Sequence, residues 1–200
     1  MKFNTKKDGP MSIWDFKATL YKYFRMHFIF RFILENEYLR LKKLLSQLPP
    51  GKKRVLDIGT GMGNALFFVS NDHLLLGLDR SFKMLQLARK RIEASFIQAD
   101  ANRLPLKSKT FDLILGIGIM EYLSHLDKFF HEICRIINLG GFLVVTFSPP
   151  NLLTYLRTLL GHRIYPLRFG QFKELAEDHG FQILNRTRSL MQEQYLLKFS

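Results

Sequence analysis

Short apolar runs and amphipathic segments alternate along most of this chain. Apolar runs bounded by glycine or polar residues predict five buried strands, at Arg54–Gly59, Leu74–Asp79, Ser95–Asp100, Phe111–Gly118 and Phe142–Phe147. Helical periodicity predicts helices between them, in a segment reaching about Ser70, behind Ser81 as a cap to Ile92, and over Leu126–Ile137. Strands that alternate with helices predict an α/β fold with a doubly wound, mostly parallel, Rossmann-like sheet.

The two ends of the chain depart from this alternation. Helical spacing over Gln171–His179 is followed by two strand-like runs, Phe181–Thr187 and Gln194–Ser200, which would make the sheet seven-stranded. Leu34–Leu48 predicts an amphipathic helix that Pro49 stops, and the apolar, partly basic segment Ile13–Ile33 predicts one or two more. We therefore expect a helical arm over residues 1–50, which is not an independent domain, and an α/β domain over residues 51–200.

Charge is distributed unevenly along the chain. The net charge is +13, and residues 1–54 hold 13 Lys and Arg against 4 Asp and Glu, a balance of +9. Such an arm favours an anionic surface, either a membrane or a nucleic acid, while a solvated face of a basic protein would look the same. We expect residues 1–33 to make peripheral contact with an anionic membrane. Nucleic acid is the less favoured partner, because no nucleic-acid-binding motif is visible.

Cysteine content and the first residues bear on the compartment. Cys134 is the only cysteine, so no disulfide framework can form within one chain. The opening residues carry no apolar region behind their lysines, and no apolar stretch long enough to span a membrane is free of charge. These features predict a cytoplasmic protein, which the expected contact of residues 1–33 would place at the membrane surface.

Three carboxylates stand at the ends of successive predicted strands. Asp57 lies near the end of the first strand, Asp79 ends the second and Asp100 ends the third. In an open α/β sheet these ends meet at one edge, where ligands bind. The sequence therefore predicts a binding site with three acids at this edge.

A glycine-rich turn follows the first strand, with Gly59, Gly61 and Gly63. A dinucleotide fingerprint would need glycine where Asn64 stands, and the phosphate-binding lysine of a P-loop is missing as well. The turn with the three acids suits a ligand that has a cationic amino group, a ribose diol and an adenine, but no phosphate. S-adenosylmethionine has these parts.

Each group can be given an expected role toward that ligand. Asp57 would fix the glycine turn and attract the amino end, Asp79 would accept from the ribose hydroxyls, and Asp100 would accept from the adenine amino group. Gly59 and Gly61 would leave room for the methionine part, and Phe82 or Met84 would cover the ring. The remaining candidates for cofactor contact are Thr60, Gly63, Arg80, Ala101 and Gly116. The histidines show no metal-ligand spacing, so no metal site is predicted.

Four segments together resemble the successive motifs of class I S-adenosylmethionine-dependent methyltransferases. They read VLDIGTGMGNAL, GLDRS, IQADANRLPLKSKTFDLILGIGIMEYL and EICRIINLGGFLVVTF. The pattern is most similar to the group that includes the ubiquinone and menaquinone methyltransferases, closely over residues 54–147 and loosely over 170–200. The resemblance implies a methyltransferase with S-adenosylmethionine as cofactor and S-adenosylhomocysteine as product. Many relatives carry His where this chain has Tyr122, which puts histidine-dependent chemistry there in doubt.

The acceptor side is less determined than the cofactor side. We expect residues 116–122 and 148–167 to line it, with the arm as a lid, and the candidate bases are Glu121, Tyr122, His125 and His162. The favoured function is in-line methyl transfer to a small, lipophilic or membrane-associated acceptor. An RNA or protein methyltransferase that binds its anionic substrate with the arm is the alternative, and a non-enzymatic cofactor-binding subunit is a third reading.

Overall fold

A computed structural model describes residues 28–69, 72–152, 154–155, 164–189 and 191–200, with side chains from Glu35 onward. Its strands are β1 (Arg54–Ile58), β2 (Leu74–Asp79), β3 (Ser95–Gln98), β4 (Phe111–Gly116), β5 (Ile137–Phe147), β6 (Phe181–Arg188) and β7 (Glu193–Phe199). Its helices are α1 (Phe28–Leu45), α2 (Phe82–Arg89), α3 (Leu126–Ile136) and α4 (Phe169–Asp178). Single 3₁₀ turns cover Leu66–Phe68 and Met120–Tyr122.

All seven strands join one sheet in the order β3-β2-β1-β4-β5-β7-β6. The first five run parallel, while β7 is antiparallel to both β5 and β6. The prediction of a doubly wound, mostly parallel seven-stranded sheet is confirmed. Order reverses between β1 and β4, so the carboxyl ends of β1, β2 and β4 surround the switch point at which such sheets bind ligands.

Two apolar layers cover the faces of the sheet. On one face α3 and α4 bury Phe129, Phe130 and Phe172 against β4, β5 and β7. On the other face Leu41 and Leu44 of α1, both at most 1 % exposed, pack against residues of β1, β4 and β5. The described part of the 1–50 segment therefore belongs to the same core as the sheet.

The predicted helix between β1 and β2 is wrong. Turns occupy residues 61–65, and helical structure is limited to the 3₁₀ turn Leu66–Phe68. The reason lies in the glycines, because Gly61 and Gly63 adopt φ of +54° and +79°, outside the right-handed helical region. The apolar run that looked helical serves to bury Leu66 and Val69 under α1 instead.

Other boundaries shift by a few residues. Ser81 caps α2 as predicted, with its hydroxyl accepting from Met84 N at 3.3 Å, but the helix ends at Arg89 and not at Ile92. β5 begins at Ile137, whereas the predicted strand began at Phe142. Gly140 and Gly141, which were predicted to lie between the helix and the strand, are therefore part of the strand. One or two helices were predicted over residues 13–33. Residues 13–27 lie outside the described part of the chain, and residues 28–33 belong to α1.

Candidate cofactor and acceptor site

The glycine turn is tied directly to the end of β2. Gly59 N and Thr60 N donate to Leu78 O at 2.7 and 2.9 Å, and Gly61 N donates to Asp79 Oδ2 at 2.8 Å. Gly59 has a φ of +72°, and a Cβ there would lie 2.8 Å from Ile119 Cδ1. The turn therefore needs glycine at this position for both conformation and space.

Asp79 organises the backbone around it. Its Oδ1 accepts from Ser81 N at 2.8 Å while its Oδ2 accepts from Gly61 N, so one carboxylate joins the glycine turn to the start of α2. Burial raises the pKa of Asp79, and the backbone N–H groups counteract part of that shift. The fixing of the glycine turn, expected of Asp57, is thus made in part by Asp79.

Asp57 lies beneath the turn and is 1 % exposed. Its Oδ2 makes no hydrogen bond to any residue in the described part of the chain. Burial raises the pKa of this carboxyl to about 7; the neighbouring Thr60 side chain opposes that shift, and the charge of Asp79 adds to it. A buried carboxylate oxygen that accepts no hydrogen bond costs free energy. A ligand that brings a hydrogen-bond donor or a cation to this oxygen would remove that cost. The ammonium group of S-adenosylmethionine fits that need, and Asp57 and Asp79 are the residues that would hold its amino acid and ribose parts.

A cavity of about 240 Å³ opens between the ends of β2 and β3 and the turn after β4. Five of the predicted cofactor residues border it, namely Gly59, Asp79, Arg80, Asp100 and Ala101. Three residues that the sequence did not single out, Leu78, Ala99 and Asn102, lie beside them. Asn102 follows Asp100 by two residues, and that proximity was the only sequence signal that could have found it.

The other predicted cofactor residues, Asp57 and Gly61 among them, do not border the cavity. Thr60 is buried, Gly63 packs against Ile92, and Gly116 packs between Val145 and Phe129. Met84 contributes its backbone N–H to the cap of α2, and the Phe82 side chain is half exposed. Contact of Thr60, Gly63 and Gly116 with the cofactor, and cover of the adenine by Phe82 or Met84, stay predictions.

The turn after β4 forms the opposite wall of the cavity. Gly118, Ile119, Tyr122, Leu123 and Ser124 border it, and Gly118 N donates to Thr146 Oγ1 at 2.7 Å. This places part of the predicted 116–122 lining at the cavity. Leu123 and Ser124 lie just past the predicted limit.

The four candidate bases separate clearly. Tyr122 borders the cavity, whereas His125 is exposed at the start of α3. Glu121 is 2 % exposed and accepts a hydrogen bond from Ser148 Oγ, which ties the β4 turn to the end of β5. His162 lies outside the described residues. Within the described residues no group of three or more His, Cys, Asp or Glu could hold a metal ion.

A second buried polar cluster, unforeseen from sequence, joins α1 to the β6–β7 turn. Glu37 of α1 accepts from Ser189 Oγ and from Gln194 Nε2, the latter at 2.9 Å. Burial raises the pKa of Glu37, and the charge of Glu121 contributes to the shift. The described end of the arm is therefore fastened to the β6–β7 turn and to the start of β7.

Comparison with known proteins gives a consistent result. Residues 55–141 match the sequence profile of the family described as "Methyltransferase domain". The chain is 39 % identical over 113 residues to a malonyl-[acyl-carrier protein] O-methyltransferase of Marinomonas sp., a match that covers 52 % of this chain and 42 % of that protein. It is 29 % identical over 104 residues to a fatty-acid O-methyltransferase of Mycolicibacterium smegmatis, covering 49 % and 38 %. The chain thus matches about two fifths of the length of these curated relatives.

Among solved structures, magnesium protoporphyrin IX methyltransferase from Synechocystis PCC 6803, with bound S-adenosylhomocysteine, has the same fold. The TM-score is 0.75 at 18 % identity, over 92 % of this chain and 96 % of the other. Over residues 55–141, the sequence matches support the prediction of a methyltransferase domain with S-adenosylmethionine as its cofactor. The narrower likeness to the ubiquinone and menaquinone group is not confirmed. None of the described helices is long and apolar enough to cross a membrane.

Proposed function

We propose that the chain transfers the methyl group of S-adenosylmethionine to a small lipophilic acceptor, and that a carboxylate oxygen of an acyl chain is the acceptor atom. The observation that carries the methyl-transfer part is the cavity at the strand ends, bordered by Asp79 and Asp100. The buried Asp57 oxygen, which accepts no hydrogen bond within the described residues, lies in β1 just before the glycine turn. Two relatives whose names specify malonyl-[acyl-carrier protein] and fatty acid support the choice of acceptor.

The wall formed by the β4 turn suits such an acceptor. Ile119 and Leu123 give it an apolar surface, and of its described lining residues only Tyr122 carries an ionisable side chain. A carboxylate is already an anion and needs no general base before it accepts a methyl group. The segment leaving β5 also exposes apolar side chains, with Leu152 and Tyr155 82 % and 54 % exposed, although neither borders the cavity.

The chain's own contribution is position and desolvation. When bound, the cofactor supplies an electrophilic methyl carbon on a sulfonium, which becomes a thioether as the acceptor oxygen forms its new bond. Asp57 and Asp79 would hold the two ends of the ligand that flank the sulfonium, and the β4 turn would bring the acceptor in line with it. Charge disperses during this step, so exclusion of water by Ile119 and Leu123 favours it.

A transfer assay with methyl-labelled S-adenosylmethionine tests the proposal. Four acceptors are tested separately: a fatty acid, a malonyl thioester of a carrier protein, total RNA and a protein extract. We expect label in the fatty acid or the thioester, released as methanol by base because the product is a methyl ester. Label in RNA or protein only would instead support the alternative that the basic arm recruits an anionic macromolecule.

Two variants make the assay specific to the site. Asp79→Asn should lose transfer, whereas Asp178→Asn, at the exposed end of α4, should retain it. Equal transfer by both variants would mean that the label reaches its acceptor without the cavity described above.

A further inference from the structure

The loop that follows β3 forms the end of the cavity farthest along the sheet. Asp100 and Asn102 border the cavity there. The loop holds itself in a tight turn, because Asn102 N and Nδ2 both donate to Asp100 Oδ1, at 2.8 and 3.2 Å, and Arg103 N donates to Asp100 O at 3.1 Å. These contacts fix the loop internally but do not fix its place relative to the sheet.

Two charged residues of α3 supply that attachment. Glu132 Oε2 accepts from Leu104 N at 2.7 Å. Arg135 Nη2 donates to Leu104 O at 2.9 Å, and its Nη1 donates to Leu106 O at 2.7 Å. Three backbone groups of the loop, which has no strand partner over 104–106, are therefore satisfied by one pair of side chains.

The pair itself is rigid. Arg135 Nε donates to Glu132 Oε1 at 3.0 Å and Nη2 donates to Oε2 at 2.8 Å, which is a two-point contact between planar groups. Their side chains are 31 % and 17 % exposed, and the guanidinium lowers the pKa of Glu132, so the carboxylate stays charged. The two residues lie one turn apart on a helix whose Phe129 and Ile133 are fully buried, so the packing of the core fixes the backbone that carries them.

Apolar burial fixes the same loop from beneath. Ala101 and Leu104 are 8 % and 5 % exposed and belong to the core cluster that contains Ile133 and Ile136 of α3. Beyond the loop, Lys109 N donates to Arg135 O at 3.0 Å. The position of Asp100 is thus set by α3, although α3 itself does not border the cavity.

We infer that Glu132 and Arg135 are positioning residues that hold Asp100 and Asn102 at the adenine end of the cofactor cavity. This inference rests on the proposed function for the identity of the ligand. A pure stability role would lower the melting temperature alone, whereas a positioning role changes how the site distinguishes adenine from other bases.

Calorimetry with two ligands separates the roles. S-adenosylhomocysteine presents the adenine amino group to Asp100, and S-inosylhomocysteine replaces that group with a carbonyl oxygen that cannot donate. The folded protein should prefer the adenosine compound by at least about tenfold, the expected loss for one hydrogen bond to a charged group. In Glu132→Gln and Arg135→Lys the preference should fall to within about threefold, with most of the loss in affinity for the adenosine compound.

Glu177→Gln is the matched control, because Glu177 forms an exposed helical ion pair with Lys173 on α4. It should leave the preference unchanged. Should Glu132→Gln fail to fold, Arg135→Lys, which keeps the charge but loses the planar two-point contact, provides the same test. A preserved preference in a folded variant with a lowered melting temperature overturns the inference. Failure of the acceptor assay leaves this test intact, since it measures ligand binding alone.

Discussion

The raised pKa of the buried Asp57 carboxyl predicts that a proton is released when the cofactor product binds. Its carboxyl is 1 % exposed, and burial with the nearby Asp79 raises its pKa from 3.8 to about 7. Near pH 7 it is therefore protonated in roughly half of the unbound molecules. An ammonium group placed against the buried oxygen favours the carboxylate and lowers that pKa, so binding should release about half a proton per ligand.

The same shift fixes how stability depends on pH in the unbound protein. The folded pKa lies above the unfolded one, so the folded state binds the proton more tightly, and stability is lost as pH rises from 3.8 towards 7. The rise of this pKa from 3.8 to about 7 corresponds to an upper limit of about 4 kcal/mol. Asp57→Asn removes this charge, so the unbound variant should be more stable than the parent above neutral pH and should bind the ligand more weakly.

Calorimetric titration with S-adenosylhomocysteine in phosphate and in Tris near pH 7 measures the released proton from the difference in observed heat. The release should vanish in Asp57→Asn, and it should fall towards zero near pH 9, where the carboxyl of the parent is already ionised. Asp178→Asn should behave as the parent, since that residue is exposed. Proton uptake, or no exchange in the parent near pH 7, would refute the assignment of the amino group to Asp57.

Three further perturbations follow from the site and the arm. Asp79→Ala should weaken S-adenosylhomocysteine binding at least about tenfold by calorimetry, and it should also lower the melting temperature because two backbone N–H groups lose their acceptor. Gly59→Ala should lower the free energy of unfolding by about 1–3 kcal/mol in urea titrations, because the φ of Gly59 is +72° and an added Cβ would meet Ile119. Gly61→Ala should cost less, because an added Cβ there would meet open space, although its φ is +54°. Equal costs for the two variants would contradict the steric explanation. Deleting residues 1–34 should leave the melting temperature nearly unchanged and ligand affinity within a few fold, because Leu41 of the core is retained. Methyl transfer should be lost. A large fall in melting temperature would contradict the role of the arm as a lid.

Strand ends were the most predictable part of this molecule. Buried parallel strands leave a plain signal, and an acid that interrupts an apolar run at its end has few reasons to be there except a ligand. Asp79 and Asp100 accordingly border the cavity. The helix predicted after β1 failed for a local reason, because apolar spacing outweighed the glycines that exclude a helix there.

Contacts between distant parts of the chain left no such signal. Glu37 and Gln194 are separated by 157 residues, and only the folded sheet brings the helix of one against the strand of the other. Glu132 and Arg135 look like an ordinary helical ion pair at i and i+3, and their backbone contacts to Leu104 become visible only with the loop in place. Tertiary placement, and not residue type, turns these side chains into parts of the site.

Ligand selectivity is the most direct test of the cofactor assignment. We expect the purified chain to bind S-adenosylhomocysteine one to one in the micromolar range, about −7 to −8 kcal/mol, and to show no comparable binding of NAD. The glycine turn with Asp79 at its base and no glycine at position 64 is the reason for this preference. Tight binding of NAD, with no binding of S-adenosylhomocysteine or S-adenosylmethionine, would contradict it.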